Sequence, residues 1–492
     1  MTITKTKKKF TFDVGWTFAS LIVILILHFF QNPIMARYLG PDGLGLFSMA
    51  IVIVGIFEPI ALFGIPDALV KYVAEYKERK EKIYSLVSSA FITILIIGII
   101  TSLALFAFSN TIASIFNMPL LSLLLKIYAL VFPFSLMHGI IIGFFNGSRR
   151  MKYFAFIRIL QASLALVFIL ALLMIGLGVE GAMLGTVSAI IVTIFWGMVF
   201  MKKFVRFTVW DYKKNTKMLA SFGSRMVGAN VIGQIYYYID TLMVGYFLTS
   251  TEVGYYAVAI SLSRFFWLVP RAIAIVAYPA ISEYWANNNI QAINKLVDKS
   301  TKYSACLLAF AGLLVIFFAK AIIAFLFTPE FLPAVLPLTI LVIGTVTSGI
   351  VRSIGGIFAS VGKPGLVLKI SAIGAVGDVL LNATLIPTYG IIGAATATTA
   401  SYVLNVLLTI YFLKKALAIK LDAFWFAKMA MLIGMSVILF YMLGFLNYYV
   451  SSTIALVFYA ILVIKYLLTK EDVTYFVSIA NYVTHGVLWT RL

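Results

Sequence analysis

Long apolar segments separated by short polar turns run along almost the whole chain. A helix needs about 20 mostly apolar residues to cross the hydrocarbon core of a membrane, and a window of that length finds fourteen segments. They lie approximately at residues 14–38, 43–72, 83–109, 119–145, 154–176, 181–201, 218–247, 253–285, 302–326, 333–360, 366–386, 391–413, 424–446 and 450–468. The pattern predicts an all-α polytopic membrane protein with fourteen transmembrane helices, the longest of them tilted or kinked.

Lysine and arginine are concentrated on one side of the predicted spans. When the turns are assigned alternately to the two sides, 26 Lys and Arg residues lie on one side and none on the other. The opposite turns carry acidic residues at Asp42, Glu180, Glu252 and Glu330. Because cytoplasmic turns are enriched in Lys and Arg, we expect a multi-pass protein of the cell membrane with both termini in the cytoplasm.

Composition narrows the class of protein further. The 492 residues are 62% hydrophobic and 11% charged, whereas soluble proteins carry about 25% charged residues, so soluble enzymes and disordered proteins are excluded. The net charge is +20, but the basic residues lie between long apolar spans, so the expected partner is an anionic lipid surface or the translocon rather than nucleic acid. A single cysteine, Cys306, excludes an intramolecular disulfide.

The two halves of the chain share motifs at a nearly constant offset. ARYLGPDGLGLFSMA (36–50) aligns with GYFLTSTEVGYYAVA (245–259), which places Gly45 on Gly254, 209 residues later. LGVEGAMLGT and YGIIGAATAT match at an offset of 212. Six spans in each half give both halves the same orientation, so the repeat predicts a pseudo-two-fold axis along the membrane normal, with the transport pathway between the lobes.

This repeat suggests a division into five parts. They are an N-terminal six-helix lobe (1–201), a cytoplasmic basic linker (202–217), a C-terminal six-helix lobe (218–413), an extra transmembrane pair (414–468) and a cytoplasmic tail (469–492). Apolar residues of the tail recur at helical spacing, which predicts an amphipathic helix over 471–492 in the membrane interface.

Three stretches carry a resemblance to a known family. ARYLGPDGLGLFSMA, YYIDTLMVGYFLTSTEVGYYAVAISLS (237–263) and AIAIVAYPAISEYW (272–285) resemble the Wzx-type polysaccharide or oligosaccharide flippases, members of the multidrug/oligosaccharidyl-lipid/polysaccharide exporter superfamily. The resemblance implies two six-helix lobes around a central cavity, and alternating access that moves a lipid-linked glycan headgroup outward. The last two spans resemble the extra pair of lipid II flippases, where such a pair forms a groove for the lipid tail.

Two arginines lie near the middle of the eighth predicted span. Arg264 and Arg271 are seven residues apart, so they share one face of an unbroken helix, and Pro270 can open the helix beside Arg271. Two guanidinium groups in a cavity would bind phosphate oxygens in forked geometry. The alternative is an internal ion pair with Asp240 or Glu58.

Further arginines lie nearer to the ends of their spans. Arg225 and Arg352 are close to predicted cytoplasmic ends, where they line the inner mouth of a cavity or extend toward the membrane surface. Together with Arg264 and Arg271 they are the predicted substrate-binding residues. Arg37, at the outer end of the first span, is a candidate for an outer gate or an interfacial anchor.

Three carboxylates lie deep in predicted spans, at Glu58, Asp240 and Asp378. Buried ionisable groups in membranes are costly and usually functional, so each is a candidate to bind a proton or Na⁺, or to pair with an arginine in a gate. With Arg37 they form the set of gate or ion-coupling candidates. Neither catalytic residues, a structural metal nor a cofactor other than a coupling Na⁺ or H⁺ is predicted.

The deep cations favour an anionic substrate. The main hypothesis is a flippase that moves an oligosaccharide on a polyprenyl phosphate or pyrophosphate carrier from the inner to the outer leaflet. The alternative is a cation-coupled multidrug exporter of the same fold, although mid-membrane arginines repel cationic drugs. The aspartate that proton-using extruders carry in the first span is also represented only by Asp13 at its start.

An integral-membrane glycosyltransferase or polymerase needs a large outer loop, which the short predicted outer turns do not provide, so we expect no enzymatic activity. The expected partners are the lipid-linked oligosaccharide and membrane lipids. Glycan polymerase or ligase machinery is a further candidate partner, and we expect the chain to be a monomer.

Overall fold

A computed structural model describes residues 3–419, 421–469, 472 and 474 of the chain, and nearly all of them are helical. Its α-helices are α1 (Ile3–Leu62), α2 (Ile65–Glu75), α3 (Lys80–Ile115), α4 (Pro119–Gly147), α5 (Met151–Met174), α6 (Gly178–Met201), α7 (Tyr212–Phe247), α8 (Ser250–Arg264), α9 (Leu268–Ala286), α10 (Ile290–Leu326), α11 (Val335–Arg352), α12 (Ile357–Ser360), α13 (Pro364–Leu417), α14 (Ala423–Met442) and α15 (Tyr448–Tyr466). Two 3₁₀ helices lie at Phe265–Trp267 and Pro329–Ala334.

The predicted all-helical membrane fold is confirmed in its broad outline. Among the described residues, eleven helical segments are long and apolar enough to cross a membrane. The third to sixth predicted spans coincide with α3 to α6. Helix α7, the predicted seventh span, is not one of the eleven. The count of fourteen spans stays a prediction.

Two of the helices are twice as long as one membrane crossing and bend at a glycine. Helix α1 bends at Gly40 (φ 64°, ψ −175°), and α13 bends at Gly390 (φ 60°, ψ −141°). Glycine populates this left-handed region without the steric cost that a Cβ adds. The outer turns predicted at 39–43 and 387–390 are therefore single-residue bends rather than loops.

The second predicted span, 43–72, is interrupted after Leu62. Phe63 and Gly64 have positive φ angles and separate α1 from α2. A Cβ on Gly64 would collide with the carbonyl of Gly223 on α7, and a Cβ on Gly223 would collide with the carbonyl of Phe63. Two glycines facing each other thus allow the α7 backbone to pack directly against the break.

The described residues form two compact units. Unit 1 comprises the described residues up to 258 together with 324–334 and 382–394, and unit 2 comprises 259–323, 335–381 and the described residues from 395 onward. The predicted lobes, linker and extra pair stay predictions. The predicted amphipathic helix of 471–492 lies outside the described residues, apart from Asp472 and Thr474.

The segment after α6 and the first turn of α7 are bound to α3 within unit 1. Asn215 is fully buried, and its side-chain amide donates to Ser85 Oγ at 2.5 Å while its carbonyl oxygen accepts from Lys82 Nζ at 2.6 Å. The backbone N–H of Thr208 donates to Ser88 Oγ at 2.9 Å. The basic linker predicted at 202–217 is thus fastened to one helix by buried hydrogen bonds, which are costly to leave unmade.

Helices α14 and α15 pack on α10 within unit 2. Phe317 of α10 stacks on Phe440 of α14 with ring centroids 4.8 Å apart, and Ser452 Oγ of α15 donates to the carbonyl of Phe317 at 3.1 Å. Helix α14 begins after Asp422, whose carboxylate accepts from the N–H of Trp425 and pairs with Lys302, each at 3.0 Å. These two contacts hold the pKa of Asp422 below its usual value.

The two outer turns of the internal repeat contact each other reciprocally in unit 1. A Cβ on Gly45 would collide with the carbonyl of Ser250, and a Cβ on Gly254 would collide with the carbonyl of Pro41. Pro41 and Ser250 are themselves 209 residues apart, the same offset as the two glycines. Each turn therefore uses the equivalent glycine to approach the equivalent backbone position of the other turn, while the predicted pseudo-two-fold axis stays a prediction.

We expect Gly254→Ala to destabilise the protein because the added methyl group meets the backbone of Pro41 and no side chain can move away. Overpacking of this kind costs about 1–3 kcal/mol. The midpoint of thermal unfolding of the purified protein should therefore fall.

Gly434→Ala in α14 is the matched control, since no atom lies within 4 Å of the Cβ that it adds. Alanine is favoured over glycine in helices by up to about 1 kcal/mol, so this variant should unfold at the wild-type temperature or above. Equal midpoints for the two variants would contradict the close contact.

Candidate functional site

The eighth predicted span, 253–285, is broken near its middle. Helix α8 ends at Arg264, the residues Phe265–Trp267 form a 3₁₀ turn, and α9 continues from Leu268. Pro270 has no N–H to give to the carbonyl of Phe266, and its ring clashes with that carbonyl in a regular helix. The opening predicted at Pro270 is therefore present one turn earlier along the chain.

The break brings two of the predicted arginines to one aromatic ring in unit 2. The guanidinium carbon of Arg264 lies 5.9 Å from the centroid of the Trp267 ring, and that of Arg352 lies 4.2 Å from it. Both distances are within the range of cation–π attraction, which is strongest for tryptophan. We call these three residues the arginine–tryptophan cluster.

Close packing of α11 on the break positions Arg352. Gly349 lies one turn before Arg352, and a Cβ there would be 2.5 Å from a methyl carbon of Leu308 and 3.3 Å from the ring of Pro270. The missing side chain lets α11 approach the turn that carries Trp267. The Trp267 ring in turn contacts the buried Tyr402 ring edge-on, at 6.2 Å between centroids. This contact limits the movement of the Trp267 ring.

The other two predicted binding arginines are not in the cluster. Arg271 lies on α9, four residues after Trp267, and its side chain is exposed. Arg225 lies on α7 in unit 1, is exposed, and donates through Nε to the carbonyl of Ser221 on its own helix at 3.3 Å.

Asp240 is among the most buried carboxylates of unit 1. It is 3% exposed, and its Oδ1 accepts a hydrogen bond at 3.3 Å from the side-chain amide of Asn382, which is fully buried. Asp378, also buried, lies one helical turn before Asn382 on α13, where positions four residues apart share a face. Within the described residues no set of three or more His, Cys, Asp or Glu is arranged to hold a metal ion.

Glu58 lies on the second segment of α1 and is half-buried. One turn before it, Gly55 faces the ring of Tyr238 on α7, whose hydroxyl would be 3.1 Å from a Cβ at that glycine. The contact brings α7, with its Tyr237–Tyr238 pair (4.8 Å between ring centroids), against the part of α1 that carries Glu58.

Arg37 ties the outer end of the first α1 segment to the end of α10. Its Nη2 donates to the carbonyl of Phe325 at 2.5 Å and its Nε donates to the carbonyl of Leu326 at 3.1 Å. The last carbonyls of a helix lack partners within the helix and carry its negative dipole, so a guanidinium is well suited to this position. Nearby, the carboxylate of Glu330 lies 3.8 Å from the Cβ position of Gly40.

Sequence reasoning missed two residues of these groupings. Trp267 is not among the predicted binding residues, although it follows Arg264 by three positions and so lies on the same helical face. Asn382 was not singled out, although it follows Asp378 by four positions. In both cases the spacing along one helix could have been recognised in the sequence. The contact with a residue on another helix, Arg352 for Trp267 and Asp240 for Asn382, could not.

A comparison with family models decides the family. The model described as polysaccharide biosynthesis protein matches residues 10–285, more than half of the chain. The chain belongs to the polysaccharide biosynthesis protein family. A second model, described as MatE, matches residues 226–384 of this family member.

Two of the proteins similar to this family member and one solved structure are flippases by name. The probable low-salt glycan biosynthesis flippase Agl15 of Haloferax volcanii is 27% identical over 396 residues, which cover 80% of this chain and 81% of the relative. The probable flippase AglR of the same organism is 24% identical, covering 77% and 78%. Among solved structures, the lipid II flippase MurJ in an inward closed conformation has a TM-score of 0.75 at 17% identity, covering 92% of this chain and 99% of that one.

These comparisons confirm the resemblance seen in the sequence and the prediction of a multi-pass membrane protein of polysaccharide biosynthesis. The similarity to the MurJ structure establishes a shared fold. The named relatives are flippases rather than enzymes, which is consistent with the prediction that the chain is not an enzyme.

We expect Arg37→Gln to lower the midpoint of thermal unfolding, because the two terminal carbonyls of α10 lose a cationic donor. A cation at a helix C-terminus contributes about 1 kcal/mol. The measurement is the unfolding midpoint of purified protein at low ionic strength, where the charge is least screened.

Lys320→Gln is the control for charge alone, since Lys320 is an exposed cation on α10 itself. Its midpoint should stay close to that of the wild type. If the unfolding midpoints of both variants fall by the same amount, the change in net charge and not the contact of Arg37 with the helix end explains the loss of stability.

Proposed function

We propose that the protein is a flippase that moves a lipid-linked oligosaccharide, on a polyprenyl phosphate or pyrophosphate carrier, from the inner to the outer leaflet. The observation that carries the proposal is the arginine–tryptophan cluster, in which two guanidinium groups share one aromatic platform. The flippase relatives support the same class of transport.

The chemistry of the cluster suits both parts of such a headgroup. A guanidinium that stacks through its face keeps its N–H edge available for forked hydrogen bonds to phosphate oxygens. Two guanidinium groups held near one ring repel each other, and an anion between them relieves that repulsion. The indole offers a flat apolar surface beside them, on which a sugar ring can stack.

The proposed architecture has fourteen spans in two six-helix lobes with an extra pair. Dividing α1 and α13 at their bends and counting α7 brings the eleven segments to fourteen. The reciprocal contact of Gly45 and Gly254 supports a pseudo-two-fold axis between the lobes, which is where transporters of this kind place their pathway. The distribution of Lys and Arg supports cytoplasmic termini.

Alternating access needs contacts that form and break at the outer side. The hydrogen bonds from Arg37 to the end of α10 join a helix of the first half of the sequence to one of the second half. We assign Arg37 to an outer gate that is closed in this arrangement. Glu58, on the second segment of α1, stays a candidate for a gate or for ion coupling.

A coupling ion is proposed at Asp240. Its carboxylate is buried and accepts a hydrogen bond from the side-chain amide of Asn382, and buried ionisable groups within a membrane are usually functional. Na⁺ and H⁺ are the two candidates. Asp378, one turn before Asn382 on the same helix, stays a separate candidate for ion coupling.

The alternative is export of drugs, which the match to the MatE model supports at the level of the fold. Most such drugs are cations, and two clustered guanidinium groups disfavour them. The predicted association with glycan polymerase or ligase machinery, and the monomeric state, are part of the proposal.

Replacing Arg264 or Arg352 with alanine should lower transport at least about tenfold, because one charge-assisted hydrogen bond is worth about 1.5–3 kcal/mol. Arg271→Ala should also reduce transport, because Arg271 is one of the predicted substrate-binding residues. The assay uses proteoliposomes loaded with a lipid-linked oligosaccharide and scores the access of an outside reagent to the glycan.

Arg158→Ala is the matched control, since Arg158 also lies near an aromatic ring, 5.3 Å from that of Phe154, but on α5. It should transport at the wild-type rate. Normal transport by the Arg264 and Arg352 variants, with unchanged expression and unfolding midpoint, would overturn the anion-binding role of the cluster.

Asp240→Asn keeps the shape of the side chain and removes its charge, so transport should no longer respond to an imposed Na⁺ or proton gradient. The measurement compares rates with and without each gradient.

Asp67→Asn is the control because Asp67 likewise accepts an amide hydrogen bond, from Asn230 at 2.8 Å. It should keep the gradient response. A gradient response that persists in Asp240→Asn would show that the coupling ion binds elsewhere.

A further inference from the structure

An open cavity of about 510 Å³ lies in unit 2 where the two ends of α13 come together. Its lining combines Leu366, Phe412 and Ala416 with the lysines Lys363 and Lys415. The three apolar residues also pack against a buried cluster that includes Ile357, Leu413 and Leu417. The floor is therefore fixed by the core of the unit, and the lysines form the rim.

The rim of the cavity carries positive charge. Lys363 Nζ donates to the carbonyl of Ala416 at 2.9 Å, and Lys415 Nζ lies 3.3 Å from the hydroxyl of Tyr411. A third exposed lysine, Lys369, lies over the ring of Phe412 at 5.6 Å. Across the described part of the chain, none of the ion pairs involves these three lysines, and an ammonium group has three donors to satisfy.

An apolar floor with a cationic rim fits an amphiphile with an anionic headgroup. Both ends of α13 lie on the side that the basic turns assign to the cytoplasm, where acidic lipids give the leaflet a negative surface potential. A phosphate within reach of Lys363, Lys369 and Lys415 would leave its acyl chain free to lie along Phe412 and Leu366.

The C-terminal segment of the chain is a poorer occupant of the cavity. Residues 473–492 contain Arg491 but not one Asp or Glu, so their side chains offer no negative charge to the lysines. Asp472, the last acidic residue, already accepts from the hydroxyl of Tyr303 at 2.5 Å and from Thr469 at 2.7 Å.

We infer that this cavity binds the phosphate headgroup of an acidic membrane phospholipid through Lys363, Lys369 and Lys415, with the acyl chain against Phe412. The site is additional to the proposed transport function and does not depend on it. Binding at the ends of α13 then depends on the lipid composition of the inner leaflet.

The test measures how fast each lysine is acylated by an amine-reactive ester, resolved by mass spectrometry, in the full chain in nanodiscs. The nanodiscs contain phosphatidylcholine alone or equal parts of phosphatidylcholine and phosphatidylglycerol. We expect the acidic lipid to slow the acylation of Lys363, Lys369 and Lys415 about threefold more than that of the exposed linker lysines Lys213, Lys214 and Lys217, which report the general effect of surface charge.

Two further arms separate the sources of protection. Inorganic phosphate at matched ionic strength, added to phosphatidylcholine nanodiscs, should not protect the three lysines, since it makes no contact with Phe412. Phe412→Ala should reduce the protection by phosphatidylglycerol and leave the rates at the linker lysines unchanged.

Three outcomes overturn the inference. If the acidic lipid slowed acylation equally at the cavity lysines and at the linker lysines, general surface charge would explain the effect. Protection by phosphate alone would show a site for a free anion, and protection already complete in phosphatidylcholine would show that another occupant, such as the C-terminal segment, covers the cavity.

Discussion

The reciprocal contact between Gly45 and Gly254 is the constraint on which the arrangement of unit 1 depends. The carbonyls of Pro41 and Ser250 occupy the space that a side chain would need at the opposite glycine, so the two outer turns meet through their backbones. Close packing of small residues is a main source of helix association in a membrane, where lipid chains remove the hydrophobic gain between helices. The contact fixes where the second segment of α1 begins and where α8 begins.

Much of the fold could be predicted from the sequence because apolar length and the alternation of charge are local signals. The boundaries of α3 to α6 lie within a few residues of the predicted spans, and the repeat identified the glycine pair before its contact was known. The bends at Gly40 and Gly390 were predicted as loops instead. A glycine with a positive φ reverses direction within one residue, which leaves no polar stretch for a pattern to detect.

The candidate site could be predicted less completely, because periodicity assumes an unbroken helix and says nothing of neighbours on other helices. Arg264 and Arg271 were paired by their spacing, but the 3₁₀ turn intervenes, and the arginine that reaches Trp267 with Arg264 is Arg352. Its approach depends on a glycine at 349 facing Pro270. The partnership of Asp240 with Asn382, 142 positions apart, is likewise a product of tertiary packing.

The contact of Arg37 with the end of α10 uses backbone carbonyls of Phe325 and Leu326 rather than their side chains. Any amino acid at those two positions presents the same carbonyl, so mutational drift there leaves the contact intact. A search for correlated substitutions in a set of related sequences would therefore not detect this contact. The contact constrains the amino acid at position 37 alone, and only the three-dimensional structure identifies the carbonyls that the arginine binds.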